Sequence, residues 1–279
     1  METFWTWWQH LPSHMDPVIF QIGSFRLQYY GLMYLVAFGL TYALAAYRLR
    51  KETGWDISKD QLQGVMTAMI IGLILGARLG YVIFYNLSYY LHHPLEIILP
   101  FDFSNGFRFT GISGMSYHGG LIGTIASSWW YMRKNQLHFR QMADLLIPCI
   151  PAGYTFGRLG NFINGELWGR LTTAPIGMYF PHSPNPALLR HPSQLYEALG
   201  EGVVLFGILW VLRNRIRTPG AMLGLYLMGY GVVRFIIEFF RQPDQQLGFV
   251  FLFFSMGQIL CTAMIGAGLL VLYYVKRLS

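Results

Sequence analysis

Arginine, asparagine and glutamate side chains stand together in the stretch GRLGNFINGELWGR, residues 157–170. It gathers two arginines, two asparagines, one glutamate and four glycines in a chain that is otherwise mostly apolar. Guanidinium groups bind phosphate oxygens through paired hydrogen bonds, amide groups donate hydrogen bonds, and glycines let the backbone approach a ligand. We therefore expect Arg158, Asn161, Asn164 and Glu166 to bind an anionic headgroup. A simple re-entrant turn is the alternative interpretation.

A second polar set recurs at helical spacing in GYGVVRFIIEFFRQPD, residues 229–244. Tyr230, Arg234 and Glu238 are four residues apart, which places them on one face of a helix, and Arg241 follows Arg234 by seven positions. An ionised side chain at the centre of a membrane helix costs about 2.5–3.5 kcal/mol, so it is retained where it is paired or lines a working cavity. An Arg234–Glu238 ion pair that only holds the helices together is the alternative.

His118 lies beside two glycines in YHGGLIG, residues 117–123. The glycines clear space around an imidazole, which can accept a proton near neutral pH; a histidine that merely satisfies a hydrogen bond is the alternative. Tyr29 and Tyr30 open an apolar run, where an aromatic belt at the membrane interface explains one of them. A further polar run, RHPSQLYE at residues 190–197, opens another apolar segment at the same predicted depth.

Apolar segments that must position these side chains dominate the chain. Hydrophobic residues make up 54% of the 279 positions and charged residues only 12%, half of the ~25% typical of a soluble domain. A membrane-spanning helix needs about 20 mostly apolar residues. Five segments meet that length, and two weaker ones are interrupted by Pro148 and Pro151 or contain Glu197 and Glu201. Together they predict an all-α integral membrane protein with seven transmembrane helices at residues 29–47, 64–85, 112–132, 144–157, 195–212, 221–240 and 249–275.

The basic residues predict the orientation of these helices. With the N-terminus outside, the inner segments hold twelve lysines and arginines, whereas the outer segments hold six arginines. Basic residues concentrate in cytoplasmic loops, so we predict an external N-terminus and a cytoplasmic C-terminus. The net charge of +7 then marks the cytoplasmic face and its anionic headgroups, and no nucleic-acid partner is predicted. Residues 1–279 form one polytopic domain in this interpretation, and residues 158–194 form an external segment that carries the polar motif.

Residue spacing predicts neither a metal site nor a nucleophilic cysteine. The histidines, cysteines and acidic residues show no cluster at metal-ligand spacing, so we predict no metal and no cofactor. Cys149 and Cys261 lie inside apolar runs, which is typical of packed thiols rather than of a disulfide or a nucleophile.

Six stretches of the sequence resemble one enzyme family. GRLGNFINGELWGR, YHGGLIG, RHPSQLYE and RFIIEFFRQPD, with DPVIF and YYGLMYL near the start, resemble the bacterial prolipoprotein diacylglyceryl transferases. The resemblance implies a multi-pass enzyme of the bacterial inner membrane whose active site faces the periplasm. Such an enzyme transfers the diacylglyceryl group of phosphatidylglycerol to the lipobox cysteine thiol of a preprolipoprotein signal peptide. A thioether forms, and glycerol phosphate is released.

The resemblance also implies roles for particular residues. The family's essential positions correspond to Tyr30, His118, Arg158, Asn161, Gly169 and Arg234, and further important positions correspond to Glu166, Tyr230 and Glu238. Among these we expect four catalytic residues: His118, Arg158, Arg234 and Tyr30. We expect phosphatidylglycerol, held within the lipid bilayer, to contact Arg158, Asn161, Asn164, Glu166, Gly169, Tyr230, Arg234, Glu238 and Arg241. Residues 171–189 match no motif of the family, and no role is assigned to them.

The implied chemistry makes two demands on these residues. The departing phosphate ester gains negative charge in a water-poor site, where fixed cations at Arg158 and Arg234 would stabilise it. The substrate thiol, with a pKa of about 8.5, must become a thiolate, for which His118, Tyr30 or a water is the base. Two rival classes are a transporter or channel for an anionic solute and a factor that holds lipid or signal peptide without chemistry. The polar residues crowd one end of the predicted spans, which argues against a transport path.

Overall fold

The structure, a computed structural model, describes residues 4–23, 25–98, 101–102, 108–109, 114–216, 218–242, 249–251 and 254–278. Outside the described residues lie Arg217 of the predicted inner segments, residues 112–113 and 252–253 of two predicted spans, and residues 243–244 of the RFIIEFFRQPD stretch. The backbone groups into two units. Unit 1 comprises Met1–Ile19, Leu27–Arg48 and Ala143–Ser279, and unit 2 comprises Phe20–Arg26 and Leu49–Met142.

The apolar runs of the described chain fold mainly as α-helices. In chain order these are α1 (Phe4–His10), α2 (Tyr29–Lys51), α3 (Lys59–Tyr85), α4 (Leu87–His92), α5 (Tyr117–Lys134), α6 (Phe139–Leu146), α7 (Ile150–Ile163), α8 (Ser193–Glu197), α9 (Leu205–Leu212), α10 (Ala221–Ile237) and α11 (Met256–Leu278). A π-helical segment, Ala198–Val204, joins α8 to α9. Turns of 3₁₀ helix occupy Leu11–His14, Pro94–Ile97 and Ile147–Cys149.

Short two-stranded sheets add a small β component to the predicted all-α fold. They pair β1 (Val18–Ile22) with β2 (Phe25–Gln28), β3 (Phe101–Asp102) with β4 (Arg108–Phe109), and β5 (Phe249–Phe251) with β6 (Phe254–Ser255). The predicted start of the last span at residue 249 is therefore wrong, since α11 begins at Met256. Aromatic and β-branched residues favour strands, and the run before α11 consists largely of phenylalanine and valine.

Membrane-spanning dimensions are met by four helices of the described chain. Tyr29–Lys51, Lys59–Tyr85, the continuous helix Ser193–Leu212 and Met256–Arg277 are long and apolar enough to cross a bilayer. The helix α10 is apolar but has only 17 residues. The prediction of a multi-pass, mainly helical membrane protein is confirmed at this level. The count of seven spans and the orientation of the termini stay predictions.

A buried arginine and an aspartate connect three segments of unit 1. Arg48, near the end of α2, is 2% exposed, and its Nη1 donates to the carbonyl oxygens of Asp144 at 2.6 Å and Leu145 at 2.7 Å. The Asp144 carboxylate accepts hydrogen bonds from the backbone N–H groups of Gly220 at 2.5 Å and Met222 at 3.1 Å. N–H groups at the start of a helix have no acceptor inside it. These contacts therefore fix the start of α10, the helix that carries the second polar set.

Glycines bring α3 and α5 of unit 2 into backbone contact. A Cβ added to Gly76 would lie 2.7 Å from Cα of Gly123, and one added to Gly80 would lie 2.7 Å from Cα of Gly119. Small residues spaced four apart permit this approach between membrane helices. The stripe formed by Gly72, Gly76 and Gly80 is thus a packing surface within unit 2.

Backbone hydrogen bonds connect Gly169 and Arg170 of the predicted external segment to His191, later in that segment, and to Phe240 after α10. The N–H of Gly169 donates to the carbonyl of His191 at 2.8 Å, and the N–H of His191 donates to the carbonyl of Arg170 at 2.9 Å. The N–H of Arg170 donates to the carbonyl of Phe240 at 2.8 Å. The end of the GRLGNFINGELWGR stretch is thereby held next to the end of the RFIIEFFRQPD helix.

Candidate active site

The end of α7 gathers the four predicted headgroup residues. Arg158 and Asn161 are three positions apart on one face of the helix, and Nη1 of Arg158 donates to Oδ1 of Asn161 at 3.1 Å. The chain then reverses through Gly165, whose φ of 65° lies in the left-handed region that glycine adopts readily. The reversal returns Glu166, whose Oε1 accepts from Nδ2 of Asn161 at 2.7 Å and from Nδ2 of Asn164 at 3.5 Å.

Glu197, the last residue of α8, connects the two predicted catalytic arginines. Nε of Arg158 lies 2.9 Å from Oε2 of Glu197, and Nη1 of Arg234 lies 3.1 Å from Oε1. The Glu197 side chain is 1% exposed, and the arginine side chains are 18% and 14% exposed. Both cations therefore lie in a site with little access for water, on the two oxygens of one carboxylate.

A tyrosine and a second carboxylate extend this cluster. The Tyr154 hydroxyl donates to Oε2 of Glu201 and accepts from Nε of Arg158 at 2.7 Å. Oε1 of Glu201 lies 3.4 Å from Nη1 of Arg234. Glu201 belongs to the π-helical segment Ala198–Val204. Such irregular helical turns occur frequently at functional sites, and this one carries a carboxylate that contacts the arginine of another helix.

A third carboxylate and a third arginine stand at the end of α10. Oε2 of Glu238 lies 3.3 Å from Nη2 of Arg234, as the four-residue spacing predicts. Nε of Arg241 lies 3.8 Å from Oε1 of Glu197, and Nη1 of Arg241 lies 3.7 Å from Oε1 of Glu238. Nε of Arg170 donates to the carbonyl of Arg241 at 2.9 Å. The second polar set and the end of the first are thus parts of one network.

Packing explains the positions of Tyr230 and Gly169. The ring of Tyr230 lies edge-on to the ring of Tyr154, with centroids 6.0 Å apart. A Cβ added to Gly169 would lie 2.5 Å from the carbonyl oxygen of Phe240 and 2.7 Å from that of His191. Any larger residue at position 169 would push apart the two backbone segments that hold the cluster.

The predicted residues Tyr30 and His118 fall into different units. The Tyr30 hydroxyl lies 3.0 Å from that of Tyr34 and interacts with the side chain of Asn161. His118 is the second residue of α5 in unit 2, where its exposed ring lies edge-on to Tyr117 with centroids 5.7 Å apart. Every predicted site residue except His118 therefore joins one connected set within unit 1.

His191, in the RHPSQLYE stretch, supplies no further positive charge. Its Nδ1 lies 3.1 Å from the Tyr196 hydroxyl, and its ring packs edge-on against Phe240. Burial lowers the pKa of His191 below its ordinary value of 6.5, so the ring is neutral near pH 7. The cations of the described cluster are therefore the arginines.

The two central arginines keep hydrogen-bond donors for a ligand. A guanidinium group carries five N–H groups. The contacts described above use Nε and Nη1 of Arg158 and Nη1 and Nη2 of Arg234. Further N–H groups remain on each side chain. The neighbouring carboxylates favour the charged guanidinium and fix its orientation, which is the arrangement that stabilises developing negative charge.

The sequence-based site omits Glu197, Glu201 and Tyr154. Glu197 and Glu201 could be identified from the sequence as candidate site residues, because two carboxylates four positions apart in an apolar helix are costly unless each has a partner. Tyr154 carries no such signal, since a tyrosine in an apolar run is explained equally well by packing.

Comparisons with known proteins agree with the motifs. A family model described as prolipoprotein diacylglyceryl transferase matches residues 17–274. A phosphatidylglycerol–prolipoprotein diacylglyceryl transferase of Chlorobaculum tepidum is 53% identical over 278 residues, covering 99% of this chain and 96% of that protein. Proteins of the same name from Polaromonas naphthalenivorans and Nitrosomonas europaea are 45% and 44% identical, each over 263 residues, covering 91% and 94% of this chain and 93% and 90% of theirs. The chain belongs to the prolipoprotein diacylglyceryl transferase family.

Proposed function

We propose that this chain transfers the diacylglyceryl group of phosphatidylglycerol to the lipobox cysteine thiol of a preprolipoprotein signal peptide, the first step of lipoprotein lipidation. Family membership supports the reaction class. The structural observation that supports the proposal is that Arg158 and Arg234 both contact the buried carboxylate of Glu197. Two guanidiniums so placed can reach the oxygens of one phosphodiester.

In the proposed step the thiolate sulfur attacks the carbon of the diacylglyceryl unit that bears the phosphate oxygen. A C–S bond forms, the C–O bond to the phosphate breaks, and glycerol phosphate leaves with the additional negative charge. Fixed cations in a site with little water stabilise that charge without reorganising during the reaction. Arg158 and Arg234 have this role. Arginine suits it better than lysine, because its planar group donates to two phosphate oxygens at once.

The carboxylates of the cluster hold the arginines rather than react. Glu197, Glu201 and Glu238 each contact Arg234, and Glu197 also contacts Arg158. These contacts restrict the rotamers of both arginines before substrate binds, which lowers the entropic cost of aligning them in the transition state.

The polar end of α7 orients the glycerol headgroup in this proposal. Asn161 and Asn164 offer amide groups to the headgroup, and Glu166 accepts from its hydroxyls. Tyr230 and Arg241 line the same network, and Gly169 keeps the surrounding backbone close. The substrate thiol loses its proton to His118, Tyr30 or a water, and His118 is favoured because an imidazole nitrogen is a common general base.

The proposal includes a membrane arrangement. The protein is a single polytopic domain of the bacterial inner membrane with seven spans, an external N-terminus and a cytoplasmic C-terminus. Residues 158–194 lie on the periplasmic side with the active site. The apolar helices and the excess of basic residues in alternate segments support this arrangement.

The test is reconstitution of purified protein with phosphatidylglycerol and a lipobox peptide. Mass spectrometry should detect the thioether peptide, and glycerol phosphate should appear in equal amount. Loss of one donor to a developing oxyanion typically costs about 10²–10³-fold in rate, so Arg234→Lys should slow turnover by roughly a hundredfold. Arg277→Lys, on the exposed end of α11, is the matched control and should turn over normally. Binding of lipid without product in the unaltered protein would favour a lipid-holding factor instead, and near-normal turnover of Arg234→Lys would exclude paired donation to phosphate.

A further inference from the structure

A capping box begins the last helix, next to the arginine cluster. Ser255 precedes α11, and its Oγ accepts from the backbone N–H of Gln258 at 3.3 Å. Oε1 of Gln258 accepts in return from the backbone N–H of Ser255 at 3.0 Å. Such reciprocal bonds satisfy N–H groups that a helix start leaves without acceptors. Ser255 Oγ also donates to Oε1 of Glu238 at 3.1 Å, so the cap touches the carboxylate that holds Arg234.

The cap leaves the amide nitrogen of Gln258 without an acceptor in the described structure. Oε1 must face the Ser255 N–H, which fixes the orientation of the amide group and excludes a flipped assignment. Nε2 is then a buried donor with no hydrogen-bond partner among the described residues, on a side chain that is 1% exposed. A buried donor without a partner is costly and rare in folded proteins. A glutamate would close the same capping box without leaving an unpaired donor, so the cap alone does not explain a glutamine here.

Unit 2 contains the same capping box in a different environment. Oγ of Ser58 accepts from the N–H of Gln61 at 3.1 Å, and Oε1 of Gln61 accepts from the N–H of Ser58 at 2.8 Å. Gln61 is only half-buried, so its amide nitrogen can bond to water. Gln258 differs from Gln61 in having a buried amide donor that no residue in the described part of the chain satisfies.

Gln258 lines a groove whose other walls are mainly apolar; the Thr262 hydroxyl in that lining donates to the backbone carbonyl of Gln258 at 3.0 Å. The groove has a volume of about 340 Å³ and is lined by Phe235, Phe254, Gln258, Ile259 and Thr262. Its walls come from α10, α11 and β6, and Phe254 and Ile259 are exposed. This size and this lining, mainly apolar with two polar side chains, are typical of small-ligand sites.

We propose that this groove holds an acyl-ester group of the diacylglyceryl lipid, with Nε2 of Gln258 donating to the ester carbonyl oxygen. The proposal rests on the proposed function and names a subsite of that same site. The donor requires an acceptor, and the apolar walls favour an uncharged group that continues into a hydrocarbon chain. The glycerol esters of phosphatidylglycerol lie only a few covalent bonds from the phosphate. The groove joins the predicted phosphate ligand Arg234 through Ser255 and Glu238.

The test compares phosphatidylglycerol with its dialkyl ether analogue, which lacks both ester carbonyls. Turnover and lipid binding by native mass spectrometry are measured for the unaltered protein, for Gln258→Glu and for Gln258→Met. The readout is the ester-to-ether preference of each protein, because a general loss of stability lowers both values and leaves their ratio unchanged. Glutamate keeps the cap acceptor but removes the donor, and methionine removes both without adding charge. Gln61→Glu changes the same cap in unit 2 and is the matched control.

We expect the unaltered protein and Gln61→Glu to prefer the ester lipid by roughly tenfold, the effect of leaving one buried donor unpaired. Gln258→Glu and Gln258→Met should show almost no preference. An unchanged preference in both Gln258 variants would overturn the proposal. A weaker affinity for the lipobox peptide with an unchanged lipid preference would also overturn it, since the groove would then hold the peptide. The binding ratio tests the subsite even if no thioether forms, so failure of the proposed function is seen separately.

Discussion

Two helix pairs, α3 with α5 in unit 2 and α10 with α11 in unit 1, use the same means of close packing. In the first pair a Cβ on Gly76 would lie 2.7 Å from Cα of Gly123. In the second pair a Cβ on Gly231 would lie 3.0 Å from the carbonyl oxygen of Cys261. Small residues at the contact allow the backbones to approach in both cases, so glycine spacing alone does not distinguish a functional pair from a structural one.

The two helix pairs differ in the hydrogen-bond partners of their polar side chains. In α5, Ser127 donates to the carbonyl of Ala68 at 2.7 Å, and Thr124 donates to the carbonyl of Gly120 at 2.8 Å, so these hydroxyls are satisfied by backbone. In the second pair, Arg234 donates to carboxylates, and Gln258 keeps an amide donor that no described backbone group satisfies. Polar groups with unused bonding capacity next to a close helix contact are therefore the better indicator of a site.

Removal of the Glu197 charge should have the largest effect, because three arginines of unit 1 contact its carboxylate. We expect Glu197→Gln to lower kcat/KM by about 10²–10³-fold, since a buried charge that loses its partner costs roughly 3–5 kcal/mol and the arginine rotamers become free. The measurement is thioether formation together with thermal unfolding. Asp56→Asn makes the same chemical change at an exposed position of unit 2 and should be neutral. Near-normal activity of Glu197→Gln would remove Glu197 from the positioning of the arginines.

The second-largest effect is expected from a substitution of His118, the one predicted catalytic residue in unit 2. His118→Gln should lower kcat by about 10²-fold, the lower end of the typical contribution of a general base, while phosphatidylglycerol binding stays intact. The deficit should shrink as the pH rises above the thiol pKa of about 8.5, because the thiolate then forms without a base. The exposed His138→Gln is the control. A deficit that does not depend on pH would assign His118 a role in packing or binding.

The glycine contact of unit 2 should matter for stability and little for chemistry. Gly76→Ala places a methyl group against the backbone of α5, and overpacking costs about 1–3 kcal/mol. The gain in helix propensity offsets up to about 1 kcal/mol of this, so we expect a net loss of roughly 1–2 kcal/mol in unfolding free energy. Gly266→Ala on α11 meets no atom within 4 Å and should be neutral or slightly stabilising. Equal unfolding temperatures for the two variants would contradict the difference between these positions.

Local pattern was sufficient for several of the helices and for contacts within one helix. The apolar runs predicted the segments that fold as α2, α3 and α11, and the four-residue spacing predicted the Arg234–Glu238 pair. The start of α11 was missed, because a run of phenylalanine and valine is as apolar in a strand as in a helix. A hydrophobicity pattern records burial and does not separate the two conformations over a short run.

Contacts between distant segments could not be read from spacing. Glu197 contacts Arg158 and Arg234 from a third helix, and Gly169 touches the backbone of Phe240 and His191. The family resemblance indicated that Gly169 matters, whereas the structure supplies a steric reason. The sequence shows that Glu197 and Glu201 are costly to bury in an apolar span. Their partners, however, depend on how α7, α8 and α10 pack together.

The smallest effect on turnover is expected at the two buried cysteines of unit 1. Cys149 and Cys261 are 0% and 3% exposed, and Sγ of Cys149 lies 3.5 Å from the carbonyl of Leu145. The double variant Cys149→Ala and Cys261→Ala should lose about 1 kcal/mol of stability per site from the small cavities and keep normal turnover. Thioether formation at saturating peptide and thermal unfolding measure the two quantities. Because the reacting sulfur belongs to the signal peptide in the proposed reaction, an inactive double variant with an unchanged unfolding temperature would mean that the chain itself supplies a thiol.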